Sequence, residues 1–522
     1  MCVALSLSAC TGKGSGGAAA VNGGADTVDT AAAPASKVPE VRFADTVYAS
    51  AGRVRHVVTI YDSVSPGRLA STADIYADAP GWLTFRGGPF RDTPQHGTVE
   101  GTPSEISVDW CFRTREDYTM TDYGAWGGGT GWTGQHLYVE WPDSCIAAFR
   151  REGHVNDHFT GREVIVGSLD GHVYFLDFES GQAVRPAIST GRNPIKGTPS
   201  LDPSLNGNLY VGQGVPAERP FGALTIDLHS HRVTQFVDED SRAWRRWGAY
   251  DSSPVRVGQF LFRPGENGIL YKYLVRPGEL HLHSTLNYSV DGVAPGMEAS
   301  MSAIGNYGYV ADNHGNVLCV NLDSLHPVWH YAIGDDVDAS PVLALEDDVP
   351  YLYVCCEVDR RGSGPARMVK LDARDGREEW VNERPARRVE VETKHFDGGY
   401  YSTPLLGRGN CSHLLFAHCV LNDDDRRNGL FVALDRRDGS VAYERKLQTY
   451  AWSSPVSVES SDGRMFVVTA DCFGNVYVLD GLSGEERCRK RVGHNFESTP
   501  VVVGNSIVVG SRGNGIYKLT LK

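Results

Sequence analysis

The sequence predicts an all-β protein: an eight-bladed β-propeller of four-stranded blades, its ring closed by an N-terminal strand that completes the last blade. Three observations predict it. A hydroxyl-Pro step introducing an apolar run recurs, in "KGTPSLD", "SSPVRVG", "DASPVLA", "YSTPLLG", "WSSPVSV" and "ESTPVVVG". Beyond about residue 104 the chain is short apolar or alternating runs broken by Gly, Asn-Gly and Asp-Gly, with few long helical patterns. The recurrence has a spacing of roughly 40–65 residues with four strands to a unit, the repeat signature of a propeller.

The unit at 449–493 shows all four parts, "SSPVSV", "RMFVVTA", "GNVYVLDGLSG" and "EERCRKRVG". The prolines fall at 199, 254, 341, 404, 455 and 500, and "MEASMSAIGNYGYVADNHGNVLCVNLD" fills the one wide gap with Met301 in place of proline. A further unit opens at "GWTGQHLYVEW" (131–141), so units begin near 131, 195, 250, 297, 337, 400, 451 and 496. The last has only three strands before Lys522, which would leave an open sheet edge. The orphan strand "EISVDWCFRTR" (105–115) carries Trp110 where other final strands carry Trp380 or Trp329, and it is expected to complete blade eight.

Of 522 residues, 41% are hydrophobic and 22% charged, enough apolar material for a large core. A formal net charge of −14 disfavours nucleic acid and anionic membrane surfaces as partners. No apolar run approaches the ~20 residues that cross a bilayer. The opening "MCVALSLSAC" is apolar and ends in Leu7-Ser8-Ala9-Cys10. It resembles the bacterial lipobox, although no basic region precedes it. That resemblance implies a lipoprotein signal over 1–10 with Cys10 as lipid anchor. Residues 11–37 are Gly/Ala-rich and read as a disordered tether. Residues 38–103 read as a pre-propeller segment packed on the outside, and 104–522 as the propeller.

The spacing Leu371-Asp372, Gly376, Trp380 returns as Leu434-Asp435, Gly439, Tyr443 and as Leu479-Asp480, Gly484, Cys488. It resembles the tryptophan-docking motif of the propellers with quinoprotein-type (PQQ-like) repeats. "GWLTFRGGPFRD" (81–92) is similar to the lead-in of that family. The resemblance covers roughly residues 81–522. It implies fold more than function, because the family holds quinone-dependent dehydrogenases as well as non-enzymatic lipoproteins, among them one of the outer-membrane β-barrel assembly machinery. The anchor and tether look more like the second group.

Candidate chemistry is sparse. Cys355 and Cys356 are adjacent, as in the vicinal disulfide of the family's enzymes, but neighbours on a strand point to opposite faces, so they read as two small semi-buried residues. Outside the signal region nine cysteines remain (11 minus Cys2 and Cys10), an odd number that predicts no disulfide framework. His281-Leu-His283 and His229-Ser-His231 lack a third ligand at metal spacing. Asp335–Asp338 and residues 423–427 lack calcium-loop spacing. No nucleophile elbow or phosphate loop is present, so no catalytic residue and no metal ligand is assigned.

The residue two before each hydroxyl should line the channel mouth once per blade. That set is Trp132, Lys196, Asp251, Glu298, Asp338, Tyr401, Trp452 and Glu497. It is either a solvated channel or a ligand site in which aromatic platforms stack a planar ring or sugar and carboxylates bind hydroxyls or a cation. The leading expectation is a lipid-anchored, non-catalytic module of the bacterial cell envelope (outer membrane, facing the periplasm or the surface). It would bind envelope proteins through loops such as 214–222 and 359–366, without a cofactor. Two alternatives stand beside it. One is a dehydrogenase of alcohols or sugars holding PQQ and Ca²⁺, with Trp452 or Trp132 under the cofactor and Asp251 or Asp338 as base. The other is a glycan-binding propeller.

Overall fold

The computed structural model describes residues 53–92, 97–131, 134–391, 394–422 and 428–522. Eight small sheets follow one another along the chain and form the predicted eight-bladed propeller. Blade two shows the plan. Ser200–Leu201 lies innermost, followed outward by Asn208–Gly212, Ala223–Asp227 and Arg232–Val237, each antiparallel to the last. Middle strands are mostly apolar because both faces pack on neighbouring blades, as in Met465–Ala470, where every residue is buried. Outermost strands are half-buried to exposed, as in Glu486–Arg491, because they lie at the rim of the ring. The one α-helix among the described residues, Asp143–Arg151, sits in a loop of blade one.

The ring closes as the sequence predicts. Val501–Val503, Ser506–Gly510 and Gly515–Leu521 supply three strands of blade eight, and Ile106–Arg113 pairs antiparallel with Gly515–Leu521 as the fourth. Trp110 of that closing strand donates its indole N–H to the Phe178 carbonyl in blade one at 3.0 Å and lies against Gly181. Three other joints repeat the arrangement: Trp329 on Gly376, Trp380 on Gly439 and Tyr443 on Gly484. The aromatic of one blade thus docks on the turn glycine of the next. Glycine is required at Gly376 twice over. Its φ is +74°, and a Cβ there would stand 2.7 Å from the Trp329 ring.

The repeated hydroxyl has a role in the ring itself. Except in blades one and seven, innermost strands have no sheet neighbour on the axis side, so their N–H and C=O groups need other partners. The Ser253 N–H donates to Ser300 Oγ (2.8 Å), Ser300 to Ser340 Oγ (3.0 Å), Ser340 to Thr403 Oγ1 (3.0 Å) and Thr403 to Ser454 Oγ (3.0 Å). Gln135 N–H donates to Thr198 Oγ1 at 2.8 Å. A belt of side-chain hydroxyls therefore links blades three to seven in turn, and blade one to blade two, around the axis.

The carbonyls are met by a segment placed differently from expectation. Of residues 38–103, expected on the outside, only part lies there: Val54–Ile60 adds a fifth strand to the outer edge of blade three. Gly81–Trp82 pairs with blade one, and Gly97–Val99 pairs in parallel with the innermost strand of blade seven. Between them, residues 83–92 run into the axis. Arg86, wholly buried, donates to the carbonyls of Arg91, Pro404 and Pro455, each at 3.0 Å. Arg91, also wholly buried, donates to the carbonyls of Met301, Phe85 and Ser253 at 2.8–3.0 Å. The physical reason is supply of donors: two guanidinium forks satisfy inward-pointing carbonyls that no strand could reach. Burial brings the Arg86 pKa down to about 9 and that of Arg91 to about 10. The segment thus forms a floor across the axis at the level of the Pro404, Pro455, Met301 and Ser253 carbonyls.

Candidate functional site at the axial mouth

Each innermost strand begins at the mouth, opposite the floor, and the hydroxyl belt fixes the spacing of the side chains two residues earlier. Trp132 lies outside the described residues. The other seven predicted positions sit at this end and fall into two groups.

The first group is charged. Lys196 Nζ lies 2.5 Å from Asp251 Oδ2 and 3.0 Å from Glu298 Oε1, with Lys196 and Asp251 buried. Gly197 allows the approach, because a Cβ there would meet the Asp251 carbonyl oxygen at 1.9 Å. Burial opposes the charge on Lys196, but Asp251 and Glu298 outweigh it and its pKa is raised. Glu266 joins them, and oxygens of Asp251, Glu266 and Glu298 lie within 4.8 Å of one another. Those three could hold a metal ion, though the Lys196 ammonium already stands beside two of them. Glu266 Oε2 accepts the Trp247 indole N–H at 2.9 Å.

Asp338 continues this wall with Asp336 and Glu357. Burial first, then the neighbouring carboxylates, raise the pKa of all three, with Glu298 acting on both Asp336 and Asp338. Glu266 and Glu357 escaped the sequence reading because they lie outside the repeated position two before the hydroxyl, and Asp336 entered it only within Asp335–Asp338, as a segment without calcium-loop spacing. Glu357 follows the adjacent pair Cys355 and Cys356 directly. The two thiols are free and buried, Cys355 packing towards blade six and Cys356 towards blade four.

The second group is aromatic. Tyr401 and Trp452 stack with centroids 5.0 Å apart and planes 25° apart, and Tyr450 leans on Trp452 at 5.6 Å. Glu497 accepts from Asn495 Nδ2 at 2.8 Å and lies 3.4 Å from the Arg512 guanidinium. A hairpin between the closing strand and blade one, Asp117–Thr121 with Gly124–Gly127, also reaches the mouth. It brings Trp126 to 4.9 Å from Arg512 and 5.9 Å from Lys196, and Tyr123 onto Trp247. As an insertion outside the repeat, it left no periodic signal.

The remaining candidates serve packing. His283 is buried edge-on against Phe260, and His281 lies 3.2 Å from Asp62. His231 contacts the Pro186 carbonyl at 2.8 Å. Residues 423–427 lie outside the described residues.

With blades, joints and floor in place, the architecture can be compared with known proteins. A quinohemoprotein alcohol dehydrogenase from Comamonas testosteroni matches over 85% of this chain and 82% of its own, with TM-score 0.59 and 13% identity. The fold is that of the PQQ-like repeat propellers. A second quinohemoprotein alcohol dehydrogenase, ADHIIG from Pseudomonas putida HK5, matches over 86% of this propeller and 81% of its own chain, with TM-score 0.57 and 11% identity. BamB from Moraxella catarrhalis aligns with 69% of this chain and 94% of its own, with TM-score 0.47 and 15% identity. Residues 427–522 match the family model described as outer membrane protein assembly factor BamB. No curated protein matches the sequence. At these identities the structural likeness establishes the fold alone.

Proposed function

We propose that this PQQ-like propeller is a non-catalytic, protein-binding module of the bacterial cell envelope, tethered by a lipid on Cys10. The observation that carries the reading is the charge at the mouth. Pyrroloquinoline quinone is a tricarboxylate, and a site for it needs cations to receive it. The described mouth offers Asp251, Glu266, Glu298, Asp336, Asp338 and Glu357, while Lys196 is already held by two of these and Arg512 faces Glu497. These residues do not fit that anion. The match of residues 427–522 to an assembly-factor family supports the same reading. Loops 214–222 and 359–366 join second to third strands of blades two and five at the mouth end, where a partner could reach them.

Cross-linking in cells expressing the full chain tests this. A defined envelope protein should be captured, and alanine replacements in loops 214–222 or 359–366 should abolish its capture. Lipid labelling should vanish in Cys10→Ser. A consistently empty capture would contradict the binding reading, and labelling that persists in Cys10→Ser would contradict the anchor.

A further inference from the structure

Exposed apolar side chains are not spread evenly over the ring. Sixteen large ones stand out among the described residues, and four of them, Val57, Ile60, Tyr61 and Val64, fall within eight residues of chain. Val64 is 92% exposed and Ile60 62%. They belong to Val54–Ile60, the fifth strand on the outer edge of blade three, and to the turn after it. The element is held firmly. Val54 and Val58 pack on the core, and the Tyr61 and Asp62 N–H groups donate to the His283 carbonyl at 2.8 and 3.2 Å. Val57 and Ile60 stand on opposite faces of an edge strand, so the rim itself is apolar and not one side of it.

Charge decides what this rim can meet. The other concentration of exposed apolar groups, Tyr118, Met120 and Tyr123 at the mouth, lies among Glu116, Asp117 and Asp122. Residues 53–68 instead carry Arg53, Arg55 and Arg68 against Asp62 alone. That acid is turned inward: its Oδ1 accepts from the Val64 and Ser65 N–H groups at 2.9 Å, and Oδ2 lies 3.2 Å from His281. Arg53 pairs with Asp291, whereas Arg55 and Arg68 are exposed and form no ion pair among the described residues. The net charge of −14 sets the whole chain against an anionic surface, so such a contact has to be local, and this rim is locally basic. Position adds to charge. The described chain enters the propeller at Arg53, so this rim is the part of the ring nearest along the chain to Cys10. A tether there keeps the rim at high local concentration beside a bilayer.

We propose that the outer rim of blade three rests on an anionic lipid surface. Val57, Ile60, Tyr61 and Val64 enter the boundary between headgroups and acyl chains, and Arg55 and Arg68 meet lipid phosphates. The ring then stands edge-on to the bilayer, with its mouth face clear for a protein partner. The inference deepens the tethered reading above and rests on it for the nearness of the bilayer, while the contact itself needs no lipid on Cys10.

Vesicle co-sedimentation of the full chain carrying Cys10→Ser tests it, using vesicles of phosphatidylethanolamine with phosphatidylglycerol and vesicles of phosphatidylcholine alone. Saturable binding to the anionic vesicles is expected, weaker on the neutral ones and falling as salt rises. Val64→Asp should weaken it about tenfold, the loss of one buried valine. Arg55→Gln and Arg68→Gln should weaken it about fivefold each. All three side chains are exposed, so melting temperatures should stay unchanged. Met120→Asp, in the other exposed patch, should leave binding as it was. No binding to either vesicle, full binding by Val64→Asp, or an equal loss in Met120→Asp would overturn the proposal. So would a dimer of the chain that Val64→Asp disperses, because the rim would then be covered by a second copy. Failure of the anchor reads differently: vesicle binding by Cys10→Ser alongside a native chain that takes no lipid label strikes the anchor and leaves the rim contact standing.

Discussion

The indole N–H of Trp110 donates to the Phe178 carbonyl at 3.0 Å, joining the strand that finishes blade eight to the turn of blade one. Residues far apart in sequence thus make the same joint that Trp329 makes with the Ala373 carbonyl, also at 3.0 Å. Trp110→Ala should cost about 3 kcal/mol, the usual loss for removing a large packed aromatic. Urea unfolding reads this as a lower midpoint. A loss under ~1 kcal/mol would mean that closure does not depend on this indole.

Ser340→Ala removes the acceptor of the Ser300 N–H while leaving the strand pairing of blade five intact. Both residues are buried, so the orphaned N–H should cost about 1–3 kcal/mol. Ser340→Thr keeps the hydroxyl and should recover most of it. Equal midpoints for the alanine and threonine variants would remove the hydroxyl belt from the stability of the ring.

Arg86→Met takes the donors from three carbonyls, those of Arg91, Pro404 and Pro455. At least ~3 kcal/mol should be lost. Arg86→Lys should not restore it, because one ammonium cannot span acceptors that a planar fork reaches together. Full stability in Arg86→Lys would show that charge, and not geometry, holds the floor.

Burial pushes the imidazole of His418 down to about 3. It packs against Phe431 and lies 2.5 Å from Thr469 Oγ1. The unfolded chain takes up this proton near pH 6.5, well before the folded one does. Stability should therefore fall as pH drops from about 6.5 towards 3. His418→Gln should flatten that acid limb in pH-dependent thermal melts. Burial raises Asp312 to about 6, which works in the opposite sense: its contribution is present below about pH 4 and is lost as pH rises through about 6. Asp312→Asn should remove this second slope. An unchanged acid limb in His418→Gln would contradict a neutral buried imidazole.

What repeats was legible in the sequence, and what occurs once was not. The hydroxyl-Pro step and the Leu-Asp, Gly, Trp spacing recur blade after blade, so number of blades, closure by Trp110 and the axial position of Lys196, Asp251 and Glu298 could be read from register. The floor could not, because Arg86 and Arg91 occur in a single segment, and buried charge is the opposite of what composition suggests. Glu357 and Glu266 lie off the register that revealed Asp338 and Asp251. Trp126 arrives on an inserted hairpin. The reason for the hydroxyl also needed three dimensions, since its partner is the N–H of the previous blade.

The most direct test of a non-catalytic mouth is to mix the purified full chain with pyrroloquinoline quinone and Ca²⁺, dialyse, and record both quinone absorbance and dye-linked oxidation of alcohols and sugars. The acid-lined mouth predicts that the quinone is lost on dialysis and that no substrate is oxidised. Retained quinone absorbance together with turnover would contradict it.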